Sequence, residues 1–259
     1  MPRLDHYLYE NGYCRSRSLG AKLIRGGFVF VNGSECRKSS TEVLEGDVVE
    51  IRENTLTRYV SRGGLKLEKA LEAFGVNPKD CICADLGAST GGFTDCLLQH
   101  GAQKVYAIDS GSEQLHPSLR ENVCVVSMEG VNARFLDETS IEPVDLVVMD
   151  VSFISQKLLY PAVRKILKED GVFLSLIKPQ FEVGREWIGS GGIVRNEKAR
   201  LGCIQMLAEE AEKQGFVMTA HIPSPFPGGD GNLEFLARFD RKKKRGEENH
   251  REYHQPISE

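Results

Sequence analysis

The chain has 259 residues, of which 41% are hydrophobic and 27% charged, with a formal net charge of −4. That is enough for one large or two modest domains with a real core, and it excludes a disordered or strongly basic chain. Nucleic-acid binding must then come from local patches rather than overall charge, and no apolar run approaches the ~20 residues of a membrane helix. The opening MPRLDHYLYENGYCRSR lacks the apolar centre of a secretion signal. The cysteine count, seven, is odd and no CxxC pair occurs, which points to reduced thiols in a cytoplasmic protein with neither a disulfide framework nor a metal site.

Leu4 and Leu8, with a stop at Gly12, predict a short helix. Ser18 to Ile24 predicts a second, ending at Gly26-Gly27. FVFVNG and DVVEI read as strands, with turns at Asn32-Gly33 and Glu45-Gly46-Asp47. This is a separate module, residues 1–57, closed by a linker over 53–57. Its basic residues Arg3, Arg15, Arg17, Lys22 and Arg25 crowd the helical part. They form either an ordinary solvated face or a patch for phosphates.

In RYVSRGGLKLEKAL, residues 58–71, the positions Leu67, Ala70, Leu71 and Phe74 make the apolar stripe of a helix. Lys66 stands one residue off that stripe. From Asp80 onward strands and helices alternate. Strands are predicted at 81–87, 104–110, 123–128, 144–150 and 171–179, and helices at 94–100, 156–167 and 197–214. Two final strands, 216–222 and 232–239, follow without a helix between them. The pattern is α/β, a mostly parallel sheet covered on both faces, with an antiparallel last strand. The domain spans 58–242, and 243–259 is a polar tail.

ADLGASTGGFTD, between a strand and a helix, is the ligand candidate. Gly87, Gly91 and Gly92 allow a tight turn and close backbone approach; Ser89, Thr90 and Phe93 share it. Asp85 precedes the turn, and Asp109 ends the next strand 24 residues later, where a carboxylate can accept both ribose hydroxyls of an adenosine. Neither GxGxxG nor GK[ST] is present, against dinucleotide and phosphate-loop readings. An acid for ribose without a phosphate grip suits S-adenosylmethionine, with Asn132 and Asp150 as further cofactor candidates.

In a parallel sheet the carboxyl ends of the strands meet at one edge, where ligands bind. Asp150 and Lys178 sit at such ends, Glu234 begins the reversed last strand, and the helix carrying Lys66 can reach the same edge. Singly, each fits an ordinary role: Lys66 on the surface, Asp150 as a cap, Lys178 at a solvated strand end, Glu234 paired with Arg238. Together, two lysines and two carboxylates beside a methyl donor form a catalytic set. Phe181 to Val194 is a glycine-containing loop with the sole tryptophan, Trp187, which either closes over substrate or anchors the loop.

Two resemblances add to this reading. RLD at 3–5, SR at 16–17, IRGGFVFVNG at 24–33 and VLEGDVVEI at 43–51 resemble the S-four-type RNA-binding domain, which implies that the paired helices and their basic residues dock on structured RNA. Lys66, Asp150, Lys178 and Glu234, in this order, resemble the FtsJ-like ribose 2′-O-methyltransferases. SRGGLKLEKAL, DVSFIS, LIKPQFEVG and GNLEFL resemble more narrowly the TlyA (haemolysin A) family. That implies a class I, Rossmann-like methyltransferase domain joined to a small α+β RNA-binding domain. It also implies 2′-O-methylation of cytidine in ribosomal RNA or ribosomal subunits, using S-adenosylmethionine, with no membrane partner. Arg62 becomes a further RNA contact. Lys178 would face the 2′-oxygen, as general base or as a charge steadying the alkoxide, with Asp150 orienting it and Glu234 and Lys66 fixing the ribose. The tail RKKKRGEENHREYHQPISE matches no part of either family.

Overall fold

Leu4 and Leu8 lie one turn apart on helix α1 (Leu4–Glu10), and both are fully buried. They pack against Leu23 and Ile24 of helix α2 (Arg17–Arg25), whose first turn is closed by Ser16 Oγ accepting the Leu19 N–H at 3.2 Å. A three-stranded antiparallel sheet covers this pair, in the order β2 (Ser34–Glu35), β1 (Val29–Val31), β3 (Val49–Ile51). Asn32 and Gly33 both have positive φ, 50° and 76°, the two-residue hairpin turn expected of Asn-Gly. The computed structural model describes residues 1–14, 16–52, 58–228 and 231–242. Arg15, the expected linker at 53–57 and the tail from 243 lie outside the described residues.

The second unit is built on a seven-stranded sheet. Its strands are β4 (Ile82–Leu86), β5 (Lys104–Asp109), β6 (Val125–Glu129), β7 (Val144–Met149), β8 (Leu167–Ile177), β9 (Phe216–Pro223) and β10 (Phe235–Arg241). They stand in the order β6-β5-β4-β7-β8-β10-β9. The first five are parallel, and β10 runs antiparallel to both neighbours, as expected of the last strand. β10 inserts between β8 and β9, which brings the residue before Phe235 beside the residue after Ile177.

Helices cover both faces. On one, α3 (Gly63–Phe74) and α4 (Gly92–Gln99) bury Leu67, Ala70, Leu71, Phe74, Cys96 and Leu97 against the sheet. The apolar stripe of α3 is therefore the one its spacing predicts, and Gly75 in the left-handed region (φ 62°) ends it. On the other face, α6 (Tyr160–Ile166) and α7 (Glu197–Lys213) pack around Tyr160, Phe173, Phe216 and Phe239. The short α5 (Pro117–Arg120) closes the β6 side through Leu119.

Several boundaries differ from expectation: the strand expected at 171–179 runs Leu167–Ile177, and the last strand, expected at 232–239, runs Phe235–Arg241. The helix expected over 156–167 is a 3-10 turn, Gln156–Leu158, followed by the shorter α6. Pro161 has no N–H to give and fits only a first turn, so the α-helix starts beside it, and Leu167 joins β8. The strand expected at 123–128 begins two residues later, because Val123 is exposed and Asn122 Oδ1 takes the Cys124 N–H in a local turn.

Candidate active site

At the carboxyl edge of the sheet β4 leads into Gly87, whose φ is +85°. A Cβ there would lie 2.5 Å from the Asp150 carbonyl oxygen, so a side chain is excluded by conformation and space together. A Cβ on Gly92, at the start of α4, would fall 2.0 Å from Ser61 Oγ. Ser61 is thus pressed against the amide end of α4, and the glycine turn is the floor on which two cavities meet.

The first cavity, about 530 Å3, lies between the ends of β4, β5 and β7. Asp109 stands on its wall. Oδ1 accepts the Gly111 N–H at 2.8 Å and Oδ2 the Ser89 N–H at 2.8 Å, which fixes the carboxylate plane while each oxygen keeps further acceptor capacity. Asn132 is also on the wall; its Oδ1 caps the next 3-10 turn through the Arg134 N–H at 3.1 Å. Val131, Ile154 and Leu159 supply an apolar slot, and among the described residues no lysine or arginine lines this cavity. Asp85 sits elsewhere than expected. It is wholly buried beneath the turn and lines neither cavity. Thr94 Oγ1 donates to its Oδ2 at 2.7 Å, and Oδ1 has no hydrogen-bond partner among the described residues. Burial, with the negative Asp150 nearby, pushes its acid up to about 7.

The second cavity, about 410 Å3, is lined by Lys66, Asp150 and Lys178, with Glu234 behind Lys66, and shares Gly87, Ser89, Asp150 and Ser152 with the first. Lys178, just past β8, places Nζ 2.6 Å from Asp150 Oδ1 and donates to Ser152 Oγ at 2.8 Å. Lys66, from α3, forms an ion pair with Glu234, just before β10. Strand pairing of Phe235 with Ile177 sets the two ion pairs side by side. The Lys66 and Glu234 side chains are 12% and 3% exposed, those of Lys178 and Asp150 14% and 23%. Burial raises the Glu234 acid, against the opposing pull of the Lys66 ammonium. The alternative partner for Glu234 is otherwise engaged: Arg238 pairs with Asp240 at 2.9 Å and donates to the Phe74 carbonyl at 2.9 Å.

The second cavity is also lined by Thr90, Phe93 and Arg62, so Arg62 belongs to this site and not to the small N-terminal sheet. Sequence reasoning missed Ser152, Gln114 and the Phe226-Pro227 pair, which line the two cavities. A hydroxyl two residues after Asp150 was the available signal for Ser152; the others are placed by loops without a motif. Trp187 is about half exposed and lines neither cavity. In the N-terminal unit Arg3 grips Asp5 with two hydrogen bonds of 3.0 and 3.1 Å, and Arg17 approaches the same carboxylate at 3.8 Å. Lys22 and Arg25 lie in the last turn of α2. One acid thus offsets part of the expected basic patch.

The donors fit a phosphate-free adenosine cofactor. A braced carboxylate faces the sugar position, an apolar slot faces the base, and the glycine turn leaves room for backbone contact. A methyl donor seated across both cavities would bring its reactive end to the shared residues, beside the Lys178–Asp150 pair.

Comparison with known proteins agrees with this geometry. Residues 59–241 match the FtsJ-like methyltransferase family and residues 2–49 the S4 domain. "Hemolysin A" of Brachyspira hyodysenteriae is 42% identical over 239 residues, covering 92% of this chain and 99% of that protein. The "16S/23S rRNA (cytidine-2'-O)-methyltransferase TlyA" of Mycobacterium tuberculosis is 40% identical over 235 residues, covering 90% and 88%. A solved structure from Streptococcus thermophilus, described as a hemolysin, superposes with a TM-score of 0.72 at 40% identity, covering 93% of this chain and 88% of that one.

Proposed function

The chain belongs to the FtsJ-like methyltransferase family, and on that premise we propose that it transfers a methyl group from S-adenosylmethionine to the 2′-hydroxyl of a cytidine in ribosomal RNA. The observation that carries the reading is the convergence of Lys66, Asp150 and Lys178 from three separate segments on one cavity beside the glycine turn, with Glu234 paired to Lys66 from a fourth. The acceptor follows from the rRNA (cytidine-2'-O)-methyltransferase relative and the S4 domain. Such an acceptor places the enzyme in the cytoplasm, and among the described residues no helix is long and apolar enough to cross a membrane.

S-adenosylmethionine, when bound, supplies an activated methyl group on a sulfonium. Asp109 would accept its ribose hydroxyls, Asn132 and the Val131–Ile154 slot would take its base, and Gly87, Ser89, Thr90, Gly91, Gly92 and Phe93 would shape the turn around the remainder. Asp85 supports that turn from below. The acceptor ribose enters the second cavity. A ribose hydroxyl is a weak nucleophile and must lose its proton as it attacks. Lys178, once its ammonium has released a proton to solvent, takes the hydroxyl proton and becomes the ammonium again, while Asp150 and Ser152 hold Nζ in place. Lys66 and Glu234 position the ribose, and Arg62 meets the adjoining phosphate. Placement dominates such a displacement, and it is what two abutting ion pairs on a rigid sheet edge provide. The N-terminal unit, through Lys22, Arg25, Arg3 and Arg17, docks on the structured RNA around the target.

The test is transfer of labelled methyl from S-adenosylmethionine to unmodified ribosomal subunits, followed by digestion to nucleosides. Label in 2′-O-methylcytidine is expected. Label on a base would retain the cofactor and overturn the acceptor, and no transfer to either subunit would overturn the substrate.

A further inference from the structure

The loops that carry the reacting groups are tied together by a residue the mechanism does not use. Lys178 leads into a 3-10 turn, Pro179–Phe181, and Glu182 ends it, its N–H donating to the Pro179 carbonyl at 3.0 Å. The Glu182 side chain does not turn to solvent. Oε2 accepts from Ser155 Oγ at 2.5 Å and Oε1 accepts the Gln156 N–H at 2.9 Å. Both partners belong to the loop that begins with Asp150 and Ser152. Gln156 is 2% exposed, and its own Oε1 accepts from Ser175 Oγ at 2.5 Å, on the strand that delivers Lys178. A second contact joins the same loops, the Phe153 and Phe181 rings at 5.1 Å.

Glu182 has no ion-pair partner among the described residues, and burial raises its acid above the ordinary range. A carboxylate in such surroundings is unfavourable unless its oxygens are satisfied by donors. Here both donors come from the opposite loop, one of them a backbone amide that fixes where that loop starts its 3-10 turn. Phe153, in the middle of the loop, has a positive φ of 64°, a conformation the chain holds only where its ends are anchored.

We propose that Glu182 is a positioning residue that clamps the loop bearing Asp150 and Ser152 to the loop bearing Lys178, and so sets where Nζ meets the acceptor oxygen. The inference rests on the reading of Lys178 and Asp150 as the reacting pair. It separates geometry from charge. Glutamine can keep the clamp, because its oxygen accepts the Gln156 N–H and the Ser155 hydroxyl can rotate to accept from its amide nitrogen. Alanine cannot.

The experiment compares full-length wild type, Glu182→Ala and Glu182→Gln by methyl transfer to ribosomal subunits, calorimetric titration with S-adenosylmethionine, melting temperature and crystal structure. Glu182→Ala is expected to lower kcat roughly 10- to 100-fold, the cost of displacing a reacting group by about an ångström. Cofactor affinity should stay near wild type. The Lys178–Asp150 contact, 2.6 Å here, should open in the Ala crystal and persist in the Gln crystal. Glu182→Gln should restore most of kcat. A wild-type rate in Glu182→Ala, an unmoved Lys178–Asp150 contact, or a Gln variant as impaired as the Ala variant would each overturn the clamp. Should Glu182→Ala fail to fold, Ser155→Ala removes one end of the tie while keeping the carboxylate, and an unchanged kcat there overturns the proposal. Should the wild type methylate no RNA, the functional reading fails, and the Lys178–Asp150 separation in the crystals still decides the clamp.

Discussion

The two cavities share a floor but are made in different ways. The cavity proposed for the cofactor is shaped by backbone: a glycine turn, the end of β5 and a carboxylate braced by two N–H groups. The cavity proposed for the acceptor is shaped by long side chains from α3 and the ends of β7 and β8, with Glu234 before β10 pairing Lys66 from behind. The first depends on residues close in sequence, the second on strand order. A change in the first should therefore alter binding, and a change in the second should alter the chemical step.

The largest effect should come from Lys178→Ala, which removes the proposed proton acceptor. A loss of roughly 10²- to 10⁴-fold in methyl transfer is expected for a general base, measured at saturating cofactor. A smaller but still large effect on stability should follow from Lys66→Met. It leaves the Glu234 carboxylate, 3% exposed, without its cation. Breaking a buried pair in this way costs about 3 kcal/mol, and denaturant unfolding should show it. Replacing both residues with apolar ones should recover much of that stability while transfer stays impaired. Asp109→Asn should weaken S-adenosylmethionine about tenfold by removing a charge-assisted acceptor. With saturating cofactor its kcat should remain near wild type, which is the sharpest contrast with Lys178→Ala.

A further effect is one of pH. The Asp85 acid is raised to about 7 in the folded chain, mainly by burial. A carboxyl raised above its unfolded value contributes stability that is fully present below about pH 4. That contribution is lost as pH rises toward the folded value near 7. Asp85→Asn, which still accepts from Thr94, removes this loss. Its melting temperature relative to wild type should rise as pH goes from about 5 to 8. A constant difference across that range would show that Asp85 is ionised in the fold throughout.

How far the sequence could be read follows the same division. The glycine turn and Asp109 are local, so spacing alone located them, and the stripe of α3 emerged from helical period. Lys66 looked odd because it stood beside that stripe, and the structure gives the reason: it reaches across the sheet edge to Glu234. The strand-end argument and the family resemblance brought the four residues together as a set, but neither gave the Lys66–Glu234 pairing, since nothing local says that β10 inserts between β8 and β9. Asp85 was placed at the right strand end but on the wrong side of the turn, because strand alternation does not reveal that its carboxylate points beneath the glycines. Pro161 could have marked the break in the expected helix, since it sits where a first turn must begin. Glu182 lies inside the LIKPQFEVG stretch, but nothing in the sequence signalled its contacts. Its role depends on two loops meeting, and its donors lie 26 and 27 residues away.

The most direct test of the division between the cavities is calorimetric titration of Lys178→Ala with S-adenosylmethionine, beside its methyl transfer to ribosomal subunits. The account predicts a Kd close to wild type with transfer all but abolished. A Kd weakened in proportion to the lost activity would contradict it, because Lys178 would then belong to the cofactor's binding and not to the attack of the ribose oxygen.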